Sequence, residues 1–358
     1  MENVEKVKRD NRAISDEFFE RFKPEGDLHP FVKLVKEYED ELELCFRGNG
    51  GSVRIYRNGH QAFKITKTGN IVVSFSIARY CEDWENLLDK LAEFSFKVDV
   101  DNIKEKIRKG DTIYIGRAGK PLSFEALKKL YDDIIIPMFT QYFSVQEKAE
   151  AIDYFKLAAR KENTGRNPAK KLEKKRQQEI YSRLKNTKSG YFLHDMEFQQ
   201  PHSNRMEMKK DKNNNKPDML GGYFNDFGVP ERLVLVEVKC TKTSVNDKKS
   251  GLDKHISCME NYAGCEEHIR ARRREAFEII KQYAELELRG LSKEFAASYD
   301  EDFYKTHFEN MPVESLIILT DEAVGCFDNT NRMYKLLEDK ILDATEYEYE
   351  IYSKELLY

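Results

Sequence analysis

Long apolar runs are missing from this 358-residue chain. No stretch approaches the roughly 20 residues that a bilayer-spanning helix requires. The opening segment, MENVEKVKRDNRAISDEFF, has no apolar core of the kind a secretory signal carries. The six cysteines are scattered (Cys45, Cys81, Cys240, Cys258, Cys265, Cys326) and form no disulfide-like framework. Both features lead to the expectation of a cytoplasmic protein in a reducing compartment, with no membrane partner. Cys258, Cys265 and His268 have spacings unlike those of common structural zinc sites. The seven histidines form no HxH or HExxH pattern. There is no GxxxxGK[ST] loop, so the chain carries no P-loop of its own, and no GxSxG elbow. Internal repeats and low-complexity tracts are absent as well. An excess of positive charge is also missing. The formal net charge is −4, which argues against a histone-like binder that holds DNA by bulk charge.

The distribution of charge says more than its sum. Between Lys156 and Lys188 basic residues outnumber acidic ones twelve to three. The stretch 205–216 is basic too, whereas 314–358 is acidic. Such asymmetry can present a basic face to a polyanion on an acidic protein. Its plain alternative is a solvated helix face.

Residues 14–37 carry a helical pattern broken by Pro24 and Pro30. Four short β-patterned runs follow at 42–46, 52–56, 61–66 and 71–76, separated by Gly48-Asn49-Gly50-Gly51, Asn58-Gly59 and Gly69-Asn70. Asn-Gly between apolar runs signals a hairpin, so an antiparallel meander is expected. A helix over 82–94 brings the single tryptophan, Trp84, onto that sheet. A short strand at 112–116 and a helix from Phe124 to Phe143, capped by Ser123, complete this part. The interruption Asn163–Pro168 marks a boundary between an α+β N-terminal domain, 1–150, and a second domain, 151–358.

The second domain reads as helix (169–186), strand (190–199), strand (218–224), strand (232–240), helix from Leu252, helix (266–289) and strand (315–320). The run Leu233-Val234-Leu235-Val236 leads straight into Glu237-Val238-Lys239. Side chains alternate along a strand, so Glu237 and Lys239 share one face. If 218–224 is the preceding strand of a hairpin, Asp218 of Pro217-Asp218 reaches that face. Ionised groups at the end of an apolar strand are costly unless they are paired or functional. Two carboxylates on one face would repel each other, so removing either is expected to relieve strain in metal-free buffer.

Pro217-Asp218 followed by Glu237-Val238-Lys239 resembles the signature of the PD-(D/E)xK nuclease superfamily, over residues of about 169–322. The resemblance implies a restriction-endonuclease-like mixed sheet flanked by helices; the chain departs from simple members in a long helical insertion, 264–313, before the last core strand. It also implies Mg²⁺ or Mn²⁺ held by Asp218, Glu237 and the Val238 carbonyl, with Lys239 orienting or deprotonating a water. Glu179 lies where many members carry a further active-site acid, although an ion pair within its basic helix is the plain alternative. Lys254 and His255 fall in the helix after the motif, where members carry another polar residue. His255 shares a face with Met259, which suits packing, and Tyr262 is expected to be buried. Lys170, Lys171, Lys174, Lys175 and Lys254 are the candidate nucleic-acid contacts.

The implied function is a metal-dependent nuclease acting on nucleic acid, DNA before RNA, in defence, restriction or repair. The N-terminal domain would then supply specificity, regulation or homodimer contacts. Two rivals belong to other classes. One is an inactive nuclease-like module that binds nucleic acid or protein. The other is an interaction scaffold docking through the acidic C-terminal segment EYEYEIYSKELLY.

Overall fold

The computed structural model describes residues 12–48, 51–58, 60–109, 111–144, 176–177, 179–181, 184, 190–196, 217–225, 228–247, 251–320, 323–324, 342–344 and 349–356. The chain is a mixed α/β protein of two compact units. One comprises 14–165; the other joins 1–13 to 166–358. The first unit is therefore inserted into the second in sequence. The division at 165/166 falls within the Asn163–Pro168 interruption.

In the unit 14–165, five strands form an antiparallel meander in the order β1 (Leu42–Arg47), β2 (Ser52–Arg57), β3 (His60–Thr66), β4 (Ile71–Ser74) and β5 (Tyr114–Arg117). The period-2 pattern explains the sheet. Leu44, Phe46, Val53, Ile55, Phe63, Ile65 and Val73 are all buried and share one face through the registers Leu44↔Ile55, Ile55↔Phe63 and Phe63↔Val73. Asn58 takes a φ of 43°, the left-handed conformation that a tight hairpin turn demands and asparagine tolerates.

Helices α1 (Asp16–Glu20) and α2 (His29–Glu37) contribute Phe18, Phe19, Phe31, Val32, Leu34 and Val35 to this core. Pro30 does not break the helix. It sits in the first turn of α2, where its missing N–H would have no helical partner anyway. Helix α3 (Trp84–Glu93) buries Leu87, Leu88 and Leu91. Trp84, at its start, is only half-buried, so the three leucines do the packing expected of the tryptophan. Helix α4 (Val100–Lys109), which the sequence pattern did not suggest, buries Ile103 alone among its described side chains. Ser123 caps α5 (Phe124–Leu130) by accepting a hydrogen bond from the Ala126 N–H at 3.2 Å. A π-helical turn, Tyr131–Ile135, follows before α-helix resumes over 136–144. That turn brings the Tyr131 hydroxyl to Glu41 and Arg57, each at 3.1 Å.

The second unit is built on a six-stranded mixed sheet. Its strands are β6 (Gly190–Met196), β7 (Met219–Phe224), β8 (Pro230–Lys239), β9 (Val313–Thr320), β10 (Leu342–Ala344) and β11 (Tyr349–Leu356), in the order β10-β11-β9-β8-β7-β6. β7 is antiparallel to both of its neighbours, β6 and β8; β8 and β9 run parallel, and β11 pairs antiparallel with β9. Residues 349–356 of the C-terminal acidic segment thus form a sheet strand between β10 and β9. Five helices separate β8 from β9: α6 (Lys242–Asn246), α7 (Leu252–Ala263), α8 (Glu266–Glu285), α9 (Lys293–Ala297) and α10 (Glu301–His307). β8 is buried along Leu233–Lys239, and β9 along its whole length, as central strands of a covered sheet must be. Gly221 lets β7 approach β6 at the bulge between Leu193 and Asp195. A Cβ there would lie 2.5 Å from the Phe192 carbonyl oxygen.

Charge is also buried in this unit. Arg272 and Glu275 of α8, 1% and 0% exposed, pair at 3.0 Å. The Arg12 N–H donates to Glu275 at 2.7 Å, and its guanidinium meets Asp195 of β6 at 3.0 Å. Next to α8, Tyr299 lies among Phe277, Phe295 and Phe303, with ring centroids 4.5–5.3 Å away. Burial pushes its phenol pKa up, and its hydroxyl has no hydrogen-bond partner among the described residues. A buried unmade hydrogen bond costs about 1–3 kcal/mol. Tyr299→Phe should therefore raise unfolding stability by about 1 kcal/mol in urea titration. A loss of stability would mean that the hydroxyl is satisfied.

Candidate metal and phosphate site

The site forms where β8 outlasts its antiparallel neighbour. The β7–β8 register ends at Met219↔Val236. Odd positions of β8 address β9, as the Leu233 N–H donating to Pro312 O shows, so even positions address β7. Continued by two residues, the register sets Val238 opposite Pro217. Proline has no N–H, so it cannot donate to the Val238 carbonyl. The Val238 N–H is taken instead by a side chain: Asp218 Oδ2 accepts it at 2.8 Å. Proline ends the ladder and aspartate replaces its last bond. The half-buried Asp218 carboxylate is thereby tied to the strand that carries Glu237.

Glu237 and Lys239 are 2% and 4% exposed. The Lys239 ammonium donates to Glu237 Oε1 at 2.8 Å. A second donor reaches the same oxygen from another element. His255 Nδ1, on α7, lies 2.7 Å from Glu237 Oε1. Among the described residues neither of these contacts, nor any other, falls on Oε2.

The path from β8 to His255 follows from local chemistry. Past Cys240, Thr241 and Ser244 form a reciprocal capping box that starts α6 at once. Gly251 then allows a tight reversal, since a Cβ there would lie 2.2 Å from Asp247 O. α7 follows with Leu252, Ile256, Met259, Tyr262 and Ala263 buried. His255 lies on the edge of that apolar stripe, 30% exposed at its side chain. Tyr262 is buried, as its place on the stripe requires.

The other candidates lie elsewhere or outside the described residues. Glu179 pairs with Arg176 at 2.5 Å and is 36% exposed at its side chain. The buried residues of this helical segment are Gln177, Ile180 and Tyr181, a stripe that excludes Glu179. Among the described residues no contact joins Glu179 to Asp218 or Glu237. Lys254 is exposed at the start of α7. Lys170, Lys171, Lys174, Lys175 and the stretch 205–216 lie outside the described residues.

Whether a divalent ion suits this place turns on the donor set. Among the described residues no group of three or more His, Cys, Asp or Glu side chains is placed to hold a metal ion, and Cys258, Cys265 and His268 form none. Asp218, Glu237 and the Val238 carbonyl offer hard oxygens from two adjoining strands. Mg²⁺ is commonly held by one or two carboxylates and completed by water, so the residues fit it better than they fit zinc. Comparisons with models of known families, with curated proteins and with solved structures find no match to this chain.

The pairing of Glu237 sets a second effect against the carboxylate repulsion expected from the sequence, because Glu237 Oε1 meets Lys239 Nζ and His255 Nδ1. Removing it leaves the Lys239 ammonium buried without that partner, a change that costs about 3–5 kcal/mol in comparable buried pairs. Glu237→Ala should lower the unfolding free energy by roughly 3 kcal/mol in metal-free buffer, and adding Lys239→Met should restore most of it. A thermal or urea series on the single and double variants checks this. Unchanged or raised stability in Glu237→Ala would point back to carboxylate repulsion.

Proposed function

We propose that the chain is a metal-dependent nuclease that hydrolyses phosphodiester bonds in DNA, with a restriction-endonuclease-like sheet as its catalytic core. The observation that carries this reading is the buried Glu237–Lys239 pair at the end of β8, with Asp218 tied to the same strand end at 2.8 Å. Support also comes from the element order of the second unit: a helical segment, three antiparallel strands, helices and a strand parallel to the third. A role in defence, restriction or repair follows only by analogy with proteins of that core.

Asp218, Glu237 and the Val238 carbonyl would hold Mg²⁺ or Mn²⁺. When bound, the ion supplies charge neutralisation at the phosphate and a more acidic water. The chain's own residues do the remaining work. Asp218 keeps its orientation through the Val238 N–H. Lys239 has three N–H donors, and among the described residues one is used by Glu237 Oε1. The others can orient a water or steady the charge that develops on the phosphate oxygens.

The test is incubation of the purified chain with circular and linear DNA in Mg²⁺, Mn²⁺ and EDTA arms. Circular DNA should be cut only with metal. Asp218→Asn should abolish cutting. Lys239→Ala should lose at least about a hundredfold in turnover, and Lys239→Arg should not restore it, because a guanidinium has a different reach and does not deprotonate. Full activity in Asp218→Asn would overturn the assignment. DNA that is bound but left intact in every arm would favour an inactive nuclease-like module.

A further inference from the structure

We infer that His255 is a positioning residue for Glu237, which with Lys239 immobilises Oε1 and leaves Oε2 as the oxygen offered for cation coordination. The inference rests on the nuclease reading of the Asp218–Glu237–Lys239 site. It assigns a specific role to a residue for which the sequence left both packing and a place beside the site open.

The reason is geometric. A carboxylate oxygen only accepts, so a ring nitrogen 2.7 Å from Glu237 Oε1 can hold that oxygen only as an N–H donor. One flexible ammonium on that oxygen still lets the carboxylate turn about its terminal bond, because a lysine can follow it. A second donor, fixed on a different element, removes that freedom. The helix that carries the ring is anchored. The His255 backbone N–H donates to Gly251 O at 3.2 Å. Met259, one turn further on, accepts the Ser315 hydroxyl of β9 at 3.6 Å on its sulfur. α7 is thus anchored to the strand beside β8, and His255 reaches Glu237 from outside the motif strand.

Residues that orient a metal-binding carboxylate typically affect metal affinity by about 10–100-fold. The probe is Mn²⁺ alone, titrated calorimetrically into the full chain, together with the Mg²⁺ dependence of circular-DNA cleavage. His255→Phe keeps ring bulk without a donor. His255→Asn places an amide N–H close to the position of Nδ1. We expect His255→Phe to weaken Mn²⁺ binding about tenfold or more while turnover at saturating metal stays within about twofold. His255→Asn should return binding to within about threefold of wild type. Circular dichroism before titration identifies any variant that fails to fold, and the Asn variant then carries the comparison against wild type and His255→Ala. Equal binding by the Phe variant and wild type, or equal loss in the Phe and Asn variants, would overturn the inference while Asp218-dependent Mn²⁺ binding in wild type leaves the nuclease reading standing. Absence of Asp218-dependent Mn²⁺ binding in wild type would overturn both.

Discussion

The second unit is organised around a carboxylate kept almost wholly out of water. Glu237 is 2% exposed at the end of a strand that is apolar from Leu233 to Val236. An isolated ionised carboxylate there would cost many kcal/mol, so its neighbours have to supply compensation. Lys239 does so from two residues along the strand, and His255 does so from α7. The requirement reaches into the loop chemistry. The capping box at Thr241 and the close reversal at Gly251 deliver α7 to the place where His255 meets Oε1. A packing core without chemistry would be more simply built with a leucine at Glu237.

The same sheet carries a second solution to buried charge. Asp195 stands opposite Leu220, which stands opposite Leu235, two residues before Glu237. Its compensation comes from Arg12, which also binds Glu275 through its N–H. Arg12 precedes the inserted unit 14–165, whereas Asp195 and Glu275 follow it. Arg12 is thus a structural part of the unit whose strands lie nearly two hundred residues further on. A composition scan that assigns sequence-adjacent residues to one domain has no signal for this.

Much of the secondary structure was legible because it rests on short-range rules. The meander strands followed from period-2 alternation between Asn-Gly and Gly-containing turns, and β8 and β9 from compact Val/Leu/Ile runs, whereas β7, with Gly221 and Gly222 in it, was expected only as a hairpin partner of β8. The misses have physical causes. Pro30 looks like a breaker but fits the first turn of α2. Trp84 draws attention by its size, yet the leucines one and two turns on carry the burial of α3. The π turn at Tyr131–Ile135 is local geometry shaped by tertiary contacts with Glu41 and Arg57. At the site, strand alternation correctly paired Glu237 with Lys239. It did not reveal that the Asp218 carboxylate accepts the Val238 N–H where the β7–β8 ladder stops, a fact of register. Nor did it give His255 its contact, which depends on how α7 crosses the sheet. Glu179 lies off the buried stripe of Gln177, Ile180 and Tyr181 and pairs with Arg176, which the sequence pattern had left open as an alternative.

The central claim is that Asp218 and Glu237 together make a divalent-cation site at the end of β8. Asparagine at 218 can still accept the Val238 N–H while its charge is gone, so Asp218→Asn separates ligation from strand geometry. The most direct measurement is electron paramagnetic resonance of Mn²⁺ titrated with wild-type protein and with this variant, in the absence of DNA. Wild type should quench the free-ion signal at stoichiometric protein, and Asp218→Asn, equally folded, should not. Equal quenching by both, or none by wild type, would contradict the claim.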